Sequence, residues 1–414
     1  MPSRRVASAL LVCLAAAAAE AGNWPEFRGP TGQGHSDEPT VPVEWGPEKN
    51  IAWKVPVPGD GWSSPVYWEG RIYLTTAVPV EGGRPNDRLL TALCFDAADG
   101  ATVWSKTVFE QRHDETEAIH GKNSHASPTP VTDGRNLYVH FGAQGTACLT
   151  LDGDVVWANR ELRYQPQHGS GNSPVLVDGL LFVNCDGRDV QFVAALDAAT
   201  GEVRWRVDRP PLTGEKGFAF CTPLVIEVDG AKQIVSPAAD RVVAYRPADG
   251  SELWRFDYTG YSVVPRPVYG HGLVFLSTSF DEATLYALRP GPGPTPEVAW
   301  STDKGAPHTP SPLLVGDEIY FVSDRGVATC ADAKTGQVRW IERLGGNYSA
   351  SPVYAGGHIY FQNEDGGTVV VRPGTAYEEV TRNSLPGRTL ASYAVADSSI
   401  FLRTDTHLYR IGRP

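Results

Sequence analysis

Four histidines are candidate metal ligands or acid–base groups: His113, His120 and His125 in and just after the stretch EQRHDETEAIHGKNS, and His168 in RYQPQHGSGN. Spacings of seven and five residues do not put the first three on one helix face, and no HExxH occurs. The chain also lacks a GxSxG elbow, because Gly61-Trp62-Ser63-Ser64-Pro65 reads as the entry to a strand. Asp186-Gly187-Arg188-Asp189 reads as a hairpin turn. No catalytic residue and no metal ligand is assigned. A second group combines aromatic, imidazole, amide and guanidinium side chains suited to binding. It comprises Trp62, His125, His168, Asn172, Phe220, Arg266, His308 and Tyr348. Most of these stand shortly before a recurring Xaa-Pro pair. If each pair opens a strand beside a central channel, this group rings the channel mouth and contacts a ligand there.

The elements that would position such a ring are visible as repeats. ALDAATGEVRW ends at Trp205 and CADAKTGQVRW ends at Trp340. Related strings end at Trp104, Trp157 and Trp254, and a looser one, ALRPGPGPTPEVAW, ends at Trp300. The upstream markers are Ser64-Pro65, Ser127-Pro128, Ser173-Pro174, Thr222-Pro223, Arg266-Pro267, Ser311-Pro312 and Ser351-Pro352. Short apolar, β-prone runs lie between, such as Leu180–Val183 and His358–Phe361. Each unit therefore reads as four strands, A to D, the size of one propeller blade. Proline cannot donate to a ladder, so strand A belongs on an edge, here the inner one. Asp197 closes an Asx-type turn, and Gly201 supplies the positive φ of a tight C–D hairpin. The tryptophans at the end of strand D dock each blade on the next, an indole burial worth roughly 4–6 kcal/mol by area.

Seven marked units leave an incomplete eighth, residues 390–412, with three strands. The seventh carries Glu378–Thr381 where its tryptophan should be. The missing strand is available in Ile51–Val57, whose Trp53 has no blade of its own. The expectation is an all-β, eight-bladed propeller, 51–414, closed by its N-terminal strand, which removes an exposed sheet edge. Seven blades is the alternative count. Residues 22–50 form an N-terminal arm.

The Ala-Leu-Asp-x-x-Thr-Gly-x-x-x-Trp string resembles the repeat of PQQ-type, quinoprotein-like propellers, a family that includes quinoprotein dehydrogenases and BamB-type outer-membrane assembly factors. The resemblance spans residues 51–412, and NWPEFRGPTGQG at Asn23–Gly34 looks like the opening of secreted bacterial members. WD-repeat and kelch patterns fit less well. For the dehydrogenase branch the resemblance implies a Glu/Asn/Asp calcium cluster, a catalytic Asp, a stacking Trp and an adjacent cysteine pair around PQQ. This chain has no Cys-Cys dipeptide, and Trp62 and Asn172 match only single members of such a site.

Residues 1–21 have the layout of a signal peptide: Arg4-Arg5, a short apolar run, then Ala19-Glu20-Ala21. Cleavage after Ala21 is expected over lipidation at Cys13, which Val12 disfavours. The mature chain then carries 34 basic and 47 acidic residues, a net charge of −13 against −12 for the whole. That field repels nucleic acid and anionic membranes. No integral membrane segment is expected. Cys94, Cys148, Cys185, Cys221 and Cys330 remain, an odd number without metal or haem spacing, and read as core filler. The expectation is a periplasmic or secreted, non-catalytic scaffold without a cofactor, whose partner is another envelope protein or a small ligand. The alternatives are a PQQ- and calcium-dependent dehydrogenase, or an enzyme using the funnel histidines.

Overall fold

A computed structural model describes residues 22–116, 119–212 and 216–413; the expectations for residues 1–21, Cys13 included, lie outside them. Eight separate four-stranded antiparallel sheets account for every strand among the described residues. The eight A strands are Val66–Trp68, Val131–Thr132, Val175–Val177, Leu224–Val228, Val268–Gly270, Leu313–Val315, Val353–Ala355 and Ala394–Ala396. They open blades 1 to 8, and in each of the first seven the sheet order follows the chain. Blade 8 takes its fourth strand from Ile51–Pro56, which pairs with His407–Ile411 and so ties both ends of the described chain into one sheet. Strand closure leaves the ring with no sheet opened at its seam.

Burial explains the strand patterns. In blade 3, strands B (Leu180–Asp186) and C (Gln191–Asp197) are buried almost throughout, because neighbouring blades cover both faces. Strand D (Val203–Asp208) alternates between half-buried and exposed, as the outer edge must. Between strands C and D, the Asp197 carboxylate accepts the Ala199 and Thr200 amides at 2.9 and 3.0 Å. Gly201 has φ +75°, and a Cβ there would sit 2.5 Å from the Trp157 ring. The turn glycine is thus required twice, for its backbone and for the indole of the preceding blade lying on it.

Each docking indole also donates a hydrogen bond. Trp53, Trp104, Trp157, Trp205, Trp300 and Trp340 reach the carbonyls of Ala97, Leu151, Ala198, Pro247, Ala333 and Gly374, each in the next blade, at 2.8–3.1 Å. Trp254 departs from this: it is buried but donates to Gln233 Oε1 of its own blade at 2.7 Å. The cause is the looser C–D connection of blade 5, where the Asp-x-x-Thr-Gly turn is replaced by a proline-rich loop.

Blade 7, which lacks a tryptophan on strand D, borrows one from the arm. Trp45 is buried and stacks on Tyr360 at 6.1 Å. The equivalent aromatic of other blades meets its own tryptophan at 5.7–6.2 Å, as in Tyr73–Trp104, Phe182–Trp205 and Phe401–Trp53. Asn383 holds the arm in place, accepting the Trp45 amide at 3.0 Å and donating to the Val43 carbonyl at 2.9 Å.

Candidate functional site

The channel wall is built from the residues leading into each strand A. One marker needs correction here. In blade 2 the strand begins at Val131, so the marker is Thr129-Pro130, not Ser127-Pro128. Two Xaa-Pro pairs stand in tandem, and only the second abuts the strand that pairs with Leu137 and Tyr138. With that register, the marker hydroxyls form a ring. The backbone N–H of Ser64 donates to Thr129, Thr129 to Ser173, and Ser173 to Thr222, each at 2.9 Å. The ring resumes from Arg266 to Ser311, Ser351 and Ser392 and returns to Ser64, at 2.9–3.1 Å. It breaks once, after Thr222, because Arg266 offers no hydroxyl to accept. These bonds satisfy strand-entry amides that no ladder reaches.

Seven of these hydroxyl residues line a cavity of about 280 Å³ at one end of the channel. The position two residues earlier lines it in every blade: Trp62, Ser127, Gly171, Phe220, Val264, Thr309, Ser349 and Leu390. Between the two rings, Asn172 turns toward strand B and donates to the Asn184 carbonyl at 2.9 Å. The alternation of an extended chain therefore decides which side chains see the channel.

Around the mouth runs an arc of rings: His120–His168 at 5.4 Å, His168–Phe218 at 5.6 Å, Phe218–Tyr261 at 5.5 Å and Tyr261–Phe280 at 6.3 Å. Such tilted and edge-on contacts suit aromatic packing. Among the described residues, the lining contains no Asp or Glu, and its one Lys or Arg, Lys122, is paired with Glu364 at 2.7 Å. Burial works against the Glu364 charge, yet hydrogen bonds from Lys122 and Ser349 outweigh it and hold this carboxyl below its ordinary range.

The arm stops the far end. Trp24 exchanges both backbone hydrogen bonds with Tyr67 in strand A of blade 1, and the arm pairs with Tyr354 of blade 7. Phe27 of the arm reaches the cavity and forms its floor. Arg28 and Arg266 are fully buried there. They donate to the Pro312 and Pro223 carbonyls at 2.8 and 2.9 Å, groups that an inner-edge strand leaves without ladder partners. Burial, reinforced by the charge of Arg266, pushes the Arg28 guanidinium down to about 9.

Of the eight residues expected at the mouth, the cavity gathers Trp62, His168 and Phe220. His308 stands beside it, its ring 5.2 Å from Phe280. His125 lies in a neighbouring cleft with Asp60 and Arg88, and burial, then the Arg88 charge, pushes it down to about 4. Asn172 is behind the wall, Tyr348 is in the core between blades 6 and 7, and Arg266 points to the arm. Selection by side-chain type put these on the list; the period of two excludes Asn172 and Tyr348. Applied from each strand A, the same period finds Ser127, Thr309, Ser349 and Leu390, which selection by chemistry missed.

Among the described residues, no three His, Cys, Asp or Glu side chains converge to hold a metal ion. All five described cysteines are free and buried, so no cysteine pair frames the cavity. Among the described residues, the lining thus holds neither the acidic cluster nor the adjacent cysteine pair that the dehydrogenase resemblance implies. No helix among the described residues is long and apolar enough to cross a membrane.

These features define a closed propeller with an aromatic cup at one end of its channel. The sequence matches the family described as outer membrane protein assembly factor BamB over residues 42–160, 91–279 and 281–376, and the chain belongs to this family of PQQ-like propellers. No curated protein matches it by sequence. Solved structures similar in fold include BamB from Moraxella catarrhalis, at 13% identity and TM-score 0.62, covering 87% of this chain and 96% of that one. A europium-containing methanol dehydrogenase aligns at 12% identity and TM-score 0.63, covering 93% and 89%. Quinohemoprotein alcohol dehydrogenase from Comamonas testosteroni aligns at 11% and 0.57, covering 96% and 82%.

Proposed function

We propose that this chain is a non-catalytic binding module of the cell envelope, which takes a small ligand or part of a partner protein into the cup at its channel mouth. The cup carries the proposal. Its walls are aromatic and hydroxyl-bearing, Phe27 of the arm lines its base, and the single Lys or Arg among its described residues is already paired. Such a surface offers contact area and directional hydrogen bonds, the ingredients of recognition. Among the described residues it offers no carboxylate to act as base and no metal cluster to activate water. Placement in the envelope rests on the signal-like layout of residues 1–21 and on the family description.

The test is to purify the protein from its own envelope, denature it, and identify released compounds and co-purifying chains by mass spectrometry. Material released from the parent and lost from Phe280→Ala supports the reading. A dye-linked alcohol dehydrogenase activity appearing on addition of PQQ and Ca²⁺ would overturn it.

A further inference from the structure

The hydroxyl ring at the base of the cup narrows the ligand's chemistry, an inference that rests on the cup being the binding site. Each ring hydroxyl accepts one backbone N–H, and a hydroxyl also carries a proton to donate. Ser351 gives its proton to Ser311 at 3.0 Å. Ser64, Thr129, Ser173, Thr222 and Ser392 accept amides but donate to no acceptor among the described residues. All five are at least 97% buried, and all five line the cavity. Buried donors without acceptors are costly, so this crown calls for an acceptor from outside the protein.

Above the crown the walls carry mostly ring side chains, and the one described Lys or Arg, Lys122, is paired with Glu364. Phe218, Phe220, Tyr261 and Phe280 stand on one side, with Trp62 and Leu390 also in the lining. An incoming carboxylate would compete with Glu364 for Lys122, and an incoming ammonium would find no acid among the described lining residues. Either charge would lose hydration on entering the cup. The size also fits a small ring, since an apolar cavity of about 150 Å³ accepts benzene, and this cup measures about 280 Å³.

We infer that the cup binds an uncharged aromatic compound bearing a carbonyl oxygen, with the oxygen directed down to the crown of Ser and Thr hydroxyls and the ring against the aromatic arc. Water satisfies the crown while the cup is empty of ligand, and the carbonyl, with two lone pairs to offer, replaces part of it.

Dissociation constants from ligand-observed NMR test this with the intact protein and five probes: acetophenone, ethylbenzene, benzoate, benzylamine and methyl glucoside. Acetophenone binds at least tenfold more tightly than each of the others, and Phe280→Ala weakens it threefold or more. Phe280 is 44% exposed, so this variant keeps the fold. Ethylbenzene binding as well as acetophenone overturns the role of the crown. Methyl glucoside, benzoate or benzylamine binding better, and still sensitive to Phe280→Ala, overturns the ligand class while leaving the cup as the site. No Phe280-dependent binding of any probe overturns the inference and the site together.

Discussion

Replacing Trp45 by alanine tests whether the arm is part of the propeller's packing or merely lies on it. The indole is 4% exposed and stacked on Tyr360, in the seat that strand D fills in six other blades. Burial of a tryptophan side chain removes 150–250 Å² from water, about 4–6 kcal/mol at ~25 cal/mol per Å² as an upper estimate. Truncations of this kind cost about 3–5 kcal/mol. The Trp45 Nε1 has no hydrogen-bond partner, so no acceptor is orphaned by its removal. The Asn383 contacts use backbone atoms of the arm and survive. The expected loss is therefore at the lower end, about 3 kcal/mol, and Trp45→Phe should recover most of it by keeping the stack. Urea unfolding followed by far-UV circular dichroism gives the difference, provided the slope m is unchanged. A Trp45→Ala protein within about 0.5 kcal/mol of the parent, the range of an ordinary surface change, would refute the claim that the arm replaces the missing tryptophan of blade 7.

Three further outcomes are expected. Ser173→Ala removes the acceptor of the buried Thr129 amide and should cost about 1–3 kcal/mol, read from the same urea curves; no change would mean the hydroxyl ring is incidental. His140 is fully buried, and burial pushes it down to about 4. The unfolded chain then binds this proton more readily, so the contribution is complete above about pH 6.5 and lost as pH falls toward 4, up to roughly 3 kcal/mol. Stability measured between pH 7 and 4 should fall less steeply in His140→Asn, and parallel curves would contradict this. Burial pushes the Cys94, Cys148 and Cys330 thiols up to about 12; a thiol reagent at pH 8 should label them only after denaturation, and rapid native labelling would show that the blade interiors are open.

The architecture was legible because each blade repeats the same local solutions. The Asp197 to Gly201 turn, the strand-D tryptophans and the proline-led strand A each have one cheap geometry, so their spacing reveals the blades. Trp53 without a blade disclosed the closing strand. What stayed hidden depends on contacts between distant segments. Trp45 sits in a stretch without a repeat, and nothing in its neighbours announces that it serves blade 7, more than three hundred residues along the chain. Trp254 ends a well-formed repeat, yet its partner is decided by the loop of the following blade. The cup was half legible: Trp62 and Phe220 were found by type, while Ser127 needed the register that Thr129-Pro130 sets and Thr309 the period of two counted back from Ser311. Phe27 could not be placed, since only the path of the arm brings it under the cup.

Site-specific photo-crosslinking in intact cells tests the central claim most directly. A photoreactive phenylalanine analogue is placed at Phe280, on the rim of the cup, or at Ile341, which is 53% exposed on the outer strand of blade 6. Binding at the channel mouth yields a discrete adduct from position 280 and none from 341, and excess unmodified protein competes it away. Adducts from 341 alone would move recognition to the rim of the disc and contradict the account.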